Sequence, residues 1–168
     1  LLIEPKTAGN RALAHAPISI ENLDWIKRNP NRCLDNLRLL NEELTTTELH
    51  RFKNAGGGTI VDMGNIGLHR DPEGLARISW ATRLNIIMGA GYYIGQSHPP
   101  ELAGKTVDEI TDEIVHDLTV GVGDTGIKAG VIGEIGCSHP LQDTEAKVLA
   151  AVARAQEATG APVNIHPG

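Results

Sequence analysis

The chain has 168 residues, of which 40% are hydrophobic, 21% charged and only 3% aromatic, so wholesale disorder is excluded and the core must be Ile, Val, Leu and Ala. A net charge of −6 argues against nucleic acid as a partner, since phosphate binding needs concentrated Lys and Arg. No apolar run approaches the roughly 18 residues of a membrane span, and Cys33 and Cys137, the only cysteines, have no metal spacing, which suits a reducing cytoplasm.

The opening, Leu1-Leu2-Ile3-Glu4-Pro5, lacks the basic region and long apolar stretch of a signal peptide. Residues 1–20 read as irregular, with Pro5, Gly9, Asn10 and Pro17 following no steady period. The spacing of Ile20, Leu23 and Ile26 predicts a short helix ended by Asn29-Pro30-Asn31. Thr45 and Glu48 fit a capping box, and the helix they open ends at Asn54-Ala55-Gly56.

From Gly56 onward a unit repeats. Thr59-Ile60-Val61-Asp62-Met63 reads as a buried strand, and Asp71-Pro72-Glu73 opens a helix carrying Leu75, Ile78 and Ala81. The strand from Asn85 to Gly91 follows. Thr106 opens a helix whose Val107, Ile110, Ile114 and Leu118 make one apolar face. The strand around Val131-Ile132-Gly133-Glu134-Ile135 comes next. Asp143-Thr144-Glu145 then opens a helix ending at Thr159-Gly160, and a last strand starts at Pro162. Continuous apolar strands alternating with helices predict an α/β fold with a covered parallel sheet. An open doubly wound sheet and a (β/α)8 barrel both fit. No Gly-x-Gly-x-x-Gly follows a strand, so the dinucleotide version of the first has no support. A barrel needs about 250 residues, which makes four strands roughly half of one. The chain does not begin with Met and stops at Gly168 directly after a strand, so we expect a fragment cut at both ends.

In either architecture chemistry sits at the C-terminal ends of the strands. There the chain places Asp62, Asn65, His69 and Arg70, then Tyr92 and Tyr93, then Glu134, then His166. A carboxylate in an apolar strand needs a compensating cation or metal. Glu134 and His166 close sequential strands at the same end, a pairing suited to Zn²⁺ or a similar divalent ion. Two ligands do not complete such a site. Simpler readings stand beside this one: Glu134 paired with a neighbouring Lys or Arg, His166 as a hydrogen-bonded strand-end residue, Arg70 pairing locally beside a helix cap. Alternation lets only one of Tyr92 and Tyr93 face inward. His15, His50, His98, His116 and His139 read as solvated, and Cys137 has no evident base.

The stretches Gly56-Gly57-Gly58-Thr59-Ile60-Val61-Asp62, the run from Asp124 through Glu134 to Gly136, Glu145-Ala146-Lys147-Val148-Leu149, and Pro162-Val163-Asn164-Ile165-His166-Pro167-Gly168 together resemble the phosphotriesterase family of the amidohydrolase superfamily, most closely its phosphotriesterase-related branch. The resemblance covers nearly the whole chain, with four motifs in order. It implies a (β/α)8 TIM barrel represented by approximately strands 2 to 5: residues 1–55 would form the loop and helices after the first strand, and residues 56–168 the successive β/α units. It implies two divalent metals, expected to be zinc, at the barrel mouth, and a bridging hydroxide that attacks an ester, lactone, phosphotriester or amide. Glu134 would bridge the metals, His166 would ligate one, and Tyr93 would line the pocket for a small-molecule substrate. The family's first-strand His-x-His, a later His and the catalytic Asp have no counterpart between Leu1 and Gly168. Many relatives carry a carboxylated Lys where this chain has Gly133; because side chains alternate, Glu134 can take over that role only through a slipped register or a difference in reach. The alternative is a barrel fragment, inactive as it stands, whose open strand edges lead to dimerisation.

Overall fold

Thr7 starts a helix where scattered Pro and Gly suggested irregular chain. In the computed structural model, which describes residues 5–38 and 40–168, α1 spans Ala8–His15. The Thr7 side chain accepts from the Asn10 N–H at 3.4 Å, and Ala12, Leu13 and Ala14 carry the helix on through their high helix propensity. Gly9 and Asn10 fall in the first turn, where their weak propensity costs little. Residues 1–4 of that stretch lie outside the described residues. Helix α2 (Leu23–Arg28) buries Ile26 as expected, but Ile20 precedes the helix and is exposed. Asn22 explains the late start. It accepts from Ser19 N–H and donates to Pro17 O, both at 2.8 Å, and so holds a turn ahead of the helix. With α3 (Leu34–Leu37) these helices belong to the first of two compact units, Leu1–Asn41; the second is Glu42–Gly168.

The second unit opens with α4 (Glu42–Asn54), which begins three residues before the expected Thr45 cap and takes Thr45 into its interior. Glu42 and Glu43 supply negative charge to the first turn, where the helix dipole favours it. The helix closes where expected: Gly56 adopts φ +96°, with hydrogen bonds from Gly56 N to Lys53 O and from Gly57 N to Phe52 O.

Four parallel strands follow in the spatial order of the sequence: β1 (Thr59–Asp62), β2 (Asn85–Ala90), β3 (Val131–Gly136) and β4 (Val163–His166). Each is joined to the next through a helix, α5 (Pro72–Thr82), α6 (Val107–Thr119) and α7 (Asp143–Thr159). An unbroken order with no reversal is the pattern of a barrel wall rather than of a doubly wound sheet. The unit is half of a (β/α)8 barrel. Strand β1 is not buried as predicted, because it lies at the edge and its Val61 is 46% exposed.

Each helix begins at a local signal. Asp71 accepts from Gly74 N–H ahead of Pro72, and Thr106 and Glu109 form a capping box. The predicted face of α6 faces the core, with Ile110 and Ile114 buried and Val107 and Leu118 packed beside them. Val148, Val152 and Ala155 of α7 meet the same core, together with Met88, Ala90, Ile132 and Ile135 of the sheet. Of the apolar residues read on α5, Ile78 is buried and Ala81 is exposed. Arg70 does not pair locally. It crosses to Asp117 on α6 and donates to Gly89 O at 2.9 Å, an ion pair whose side chains are 7% and 12% exposed.

Ile132 and Ile135 are both fully buried in this core although they are three residues apart. Strict alternation would place them on opposite faces. The reason is an irregularity in β3: Ile132 stands beside Val163 and Ile135 beside Ile165, so three residues of β3 span two of β4. Gly133, at φ +149°, carries the extra step in a conformation that side chains disfavour. Its carbonyl projects over β2, where a Cβ at Gly89 would lie only 2.0 Å away. A Gly89→Ala variant should therefore lose about 1–3 kcal/mol or more of stability, the range for overpacking against unyielding neighbours. Urea midpoints would show it; an unchanged midpoint would mean that the Gly133 carbonyl can move aside.

Candidate active site

The slipped register turns Glu134 off the helix-covered face and toward the C-terminal end of β4. There His166 Nδ1 lies 2.5 Å from Glu134 Oε1. The Glu134 backbone is anchored on both sides: its N–H donates to Met63 O at 2.9 Å, and its carbonyl accepts from Asn65 Nδ2. Asn65 is fully buried, and its Oδ1 accepts from Gly67 N–H at 3.1 Å. One amide thus joins the loop after β1 to the Glu134 stretch of β3, two strands away. Asp62, the other polar group ending β1, turns back on its own loop and accepts from Gly64 N–H at 2.8 Å.

Tyr93 stands on the same side, its ring edge-on to His166 with centroids 5.4 Å apart. Burial and the nearby Glu134 charge push its phenol above the usual tyrosine range. Tyr92 points the other way, into the core, and donates to Glu113 Oε2 at 2.5 Å. As alternation requires, the two adjacent tyrosines face opposite ways. Burial, and then the Glu113 carboxylate, raise the Tyr92 phenol well above its ordinary value, so it stays a neutral donor.

His98 is not solvated as expected. Its Nε2 lies 2.8 Å from Tyr93 O and its Nδ1 3.1 Å from Thr144 Oγ1, while its ring meets Tyr92 edge-on. Beside it, Glu145 is fully buried. Its carboxylate accepts from Gly95 N–H (2.8 Å), Ser138 N–H (3.0 Å), Ser138 Oγ–H (2.7 Å) and Gln142 N–H (3.0 Å). Burial works to raise this carboxyl, but the three backbone donors and the hydroxyl outweigh it and hold it at about 2. Glu145 was legible only as a helix-opening residue; the Gln142-x-x-Glu145 box is a local signal, whereas its reach to Gly95 depends on folding. Cys137 lies nearby, and burial together with the Glu145 charge pushes its thiol up, away from a reactive thiolate.

Glu134 and His166 are a carboxylate and an imidazole set side by side at this mouth. Among the described residues no group of three or more His, Cys, Asp or Glu side chains converges to hold an ion. The carboxylate and imidazole match in type part of a donor set for a divalent ion. A groove between α4 and α5, lined by Glu42, Thr46, His50, Arg77 and Ile78 among others, contains no strand-end residue. No described helix is long and apolar enough to cross a membrane.

Parallel βα units in sequential order, with polar groups gathered at the strand ends, define a barrel of the kind that carries its chemistry at one mouth. The chain belongs to the phosphotriesterase family, whose sequence profile matches residues 2–168. It is 45% identical over 165 residues to an N-acetyltaurine hydrolase from Xenopus tropicalis, covering 98% of this chain and 47% of that protein. Among solved structures it resembles a resiniferatoxin-binding protein from Rhodobacter sphaeroides, with a TM-score of 0.91 and 39% identity over 98% of this chain and 46% of that one. It also resembles a lactonase from Listeria monocytogenes, with a TM-score of 0.73 and 26% identity over 85% of this chain and 48% of that one. The chain spans about half the length of the curated relatives it matches.

The Glu145 carboxyl yields a prediction with a definite sign. Its folded value is depressed, so its stabilising contribution is complete above the ordinary Glu value of about 4.3 and is lost as pH falls through about 2. Thermal midpoints of the parent and of Glu145→Gln should differ at neutral pH and converge toward pH 2. A gap that stays constant at every pH would show that the charge is not the source.

Proposed function

We propose that the protein is a metal-dependent hydrolase in which Glu134 and His166 hold divalent metal and Tyr93 lines the substrate side. The observation that carries this reading is the 2.5 Å approach of His166 Nδ1 to Glu134 Oε1 at the ends of adjacent strands, with Tyr93 against the same imidazole. The favoured substrate class is an N-acyl amide, supported by 45% identity to a protein named as an N-acetyltaurine hydrolase. A lactone or carboxylic ester is the second reading, supported by the similarity to a lactonase, and a phosphotriester has less in its favour.

Divalent ions, with zinc the first choice for this donor pair, would polarise the scissile carbonyl and lower the pKa of water. Glu134 supplies negative charge at a point where two cations would repel each other. The hydrogen bonds from Asn65 and to Met63 O keep its backbone from following the charge, so the carboxylate is oriented before substrate arrives. His166 would contribute an imidazole nitrogen, and Tyr93 a phenol held above its usual range beside a polar centre. A carboxylate native to the chain removes any need for a carboxylated lysine.

The complete gene product should contain two divalent ions per chain and hydrolyse N-acyl amides of small acids. Glu134→Gln should lose bound metal and more than about 100-fold in rate, beyond the range for outer-shell partners of metal sites. Added bicarbonate should leave the parent rate unchanged. Strong activation by bicarbonate, or full metal occupancy in Glu134→Gln, would overturn the role given to Glu134.

A further inference from the structure

Glu145 is an acidic side chain with no solvent exposure whose four donors are three backbone N–H groups and one hydroxyl, not a cation. A buried anion satisfied only by loop donors is held at the expense of desolvation, and it must have all of them in place at once. Those donors come from two different segments. Gly95 lies two residues after Tyr93, in the segment following β2. Ser138 and Gln142 lie in the segment following β3, four and eight residues after Glu134.

The segment after β2 also meets the end of β3, the segment after it and the start of α7, at three further points. His98 links Tyr93 O to Thr144 Oγ1, beside Glu145 on α7. Gly136 lies against the Tyr93–Ile94 peptide, where a Cβ would come within 2.3 Å of Ile94 N and 2.6 Å of the Tyr93 carbonyl carbon. The Gln142 side chain packs on Gly95, where a Cβ would meet its Oε1 at 2.3 Å. The backbone around Tyr93 is therefore clamped from the β3 side, while its ring projects to His166.

We propose that Glu145 is a positioning residue that fixes Tyr93 beside the Glu134–His166 pair by tying the segment after β2 to the segment after β3. This rests on the reading of that pair as the reaction site. Glu145 touches neither Tyr93's ring nor the pair; it acts through the Gly95 amide. The prediction for catalysis is a loss of substrate fit rather than of metal or of the chemical step.

The test uses the complete gene product carrying Glu145→Gln, Tyr93→Ala, and both together. Glu145→Gln keeps the shape but puts an NH₂ where an oxygen accepted. Hydrogen exchange at the Gly95 and Ser138 amides should rise while the amides of β2, β3 and α6 keep their protection, and a crystal structure should show the Tyr93 ring displaced from His166. Metal content should not change, kcat should stay near the parent value, and KM should rise about tenfold, in the range for outer-shell partners and in the pattern of lost binding. The double variant should be no worse than Tyr93→Ala alone, since the two residues act through one contact. Glu145→Asp, which keeps the charge one methylene short, should show the same pattern more weakly and serves if Glu145→Gln does not fold. Tyr93 unmoved against His166, exchange rising evenly through β2, β3 and α6, or KM effects that multiply in the double variant would each overturn the proposal. If no substrate is hydrolysed the proposed function fails, while exchange and the variant structure still decide the role of Glu145.

Discussion

Three residues of β3 run beside two of β4, and this mismatch decides which way Glu134 points. With regular alternation from the buried Ile132, Glu134 would face α6 and α7 and place a carboxylate in the apolar core. The extra step at Gly133 returns Ile135 to that core and sends Glu134 to the other face, within reach of His166. The step requires room. Gly133 supplies the backbone conformation, and Gly89 leaves space for the carbonyl that swings over β2. Two glycines on neighbouring strands are thus as much a part of the candidate site as the carboxylate itself.

Around this point, loop segments after successive strands are bound to one another rather than left to solvent. Asn65, after β1, holds the Glu134 carbonyl. Arg70, from the same loop, reaches Gly89 O and Asp117. Glu145 and His98 join the segments after β2 and β3. Asn65, Asp117 and Glu145 are buried polar groups with their partners satisfied, and such groups specify one arrangement because any other leaves them unpaired. The backbone of Tyr93 and of Glu134 is thereby held by neighbours outside the candidate site.

Much of the fold follows from local signals. Helices α5, α6 and α7 begin at Asp71, Thr106 and the Gln142–Glu145 box, and the spacing of Val107, Ile110, Ile114 and Leu118 already identified the core face of α6. Helix α1 escaped because its only start signal is one hydroxyl on Thr7, followed at once by Gly9 and Asn10. The start of α4 escaped because Thr45 and Glu48 mimic a capping box inside a helix that Glu42 and Glu43 begin earlier. At the site, Glu134 and His166 stood out as polar groups ending apolar strands, and the family resemblance alone set Tyr93 apart from Tyr92. Asn65 stood out only as one polar residue among several, and His98 looked like an ordinary loop histidine.

What the sequence by itself determined is the succession of β/α units, the caps that bound them, the apolar faces, and the family to which they belong. These depend on residues within one or two helical turns of each other, so their spacing along the chain records them. Only the tertiary structure decided the register of β3, the inward turn of Glu134, the long reach of Arg70 to Asp117, and the gathering of Gly95 and Ser138 around Glu145. Each of these joins groups far apart in the chain or depends on where two backbones leave space, as at Gly89 and Gly133. No periodicity in one segment carries that information, because the partner that supplies the hydrogen bond or the room comes from another strand.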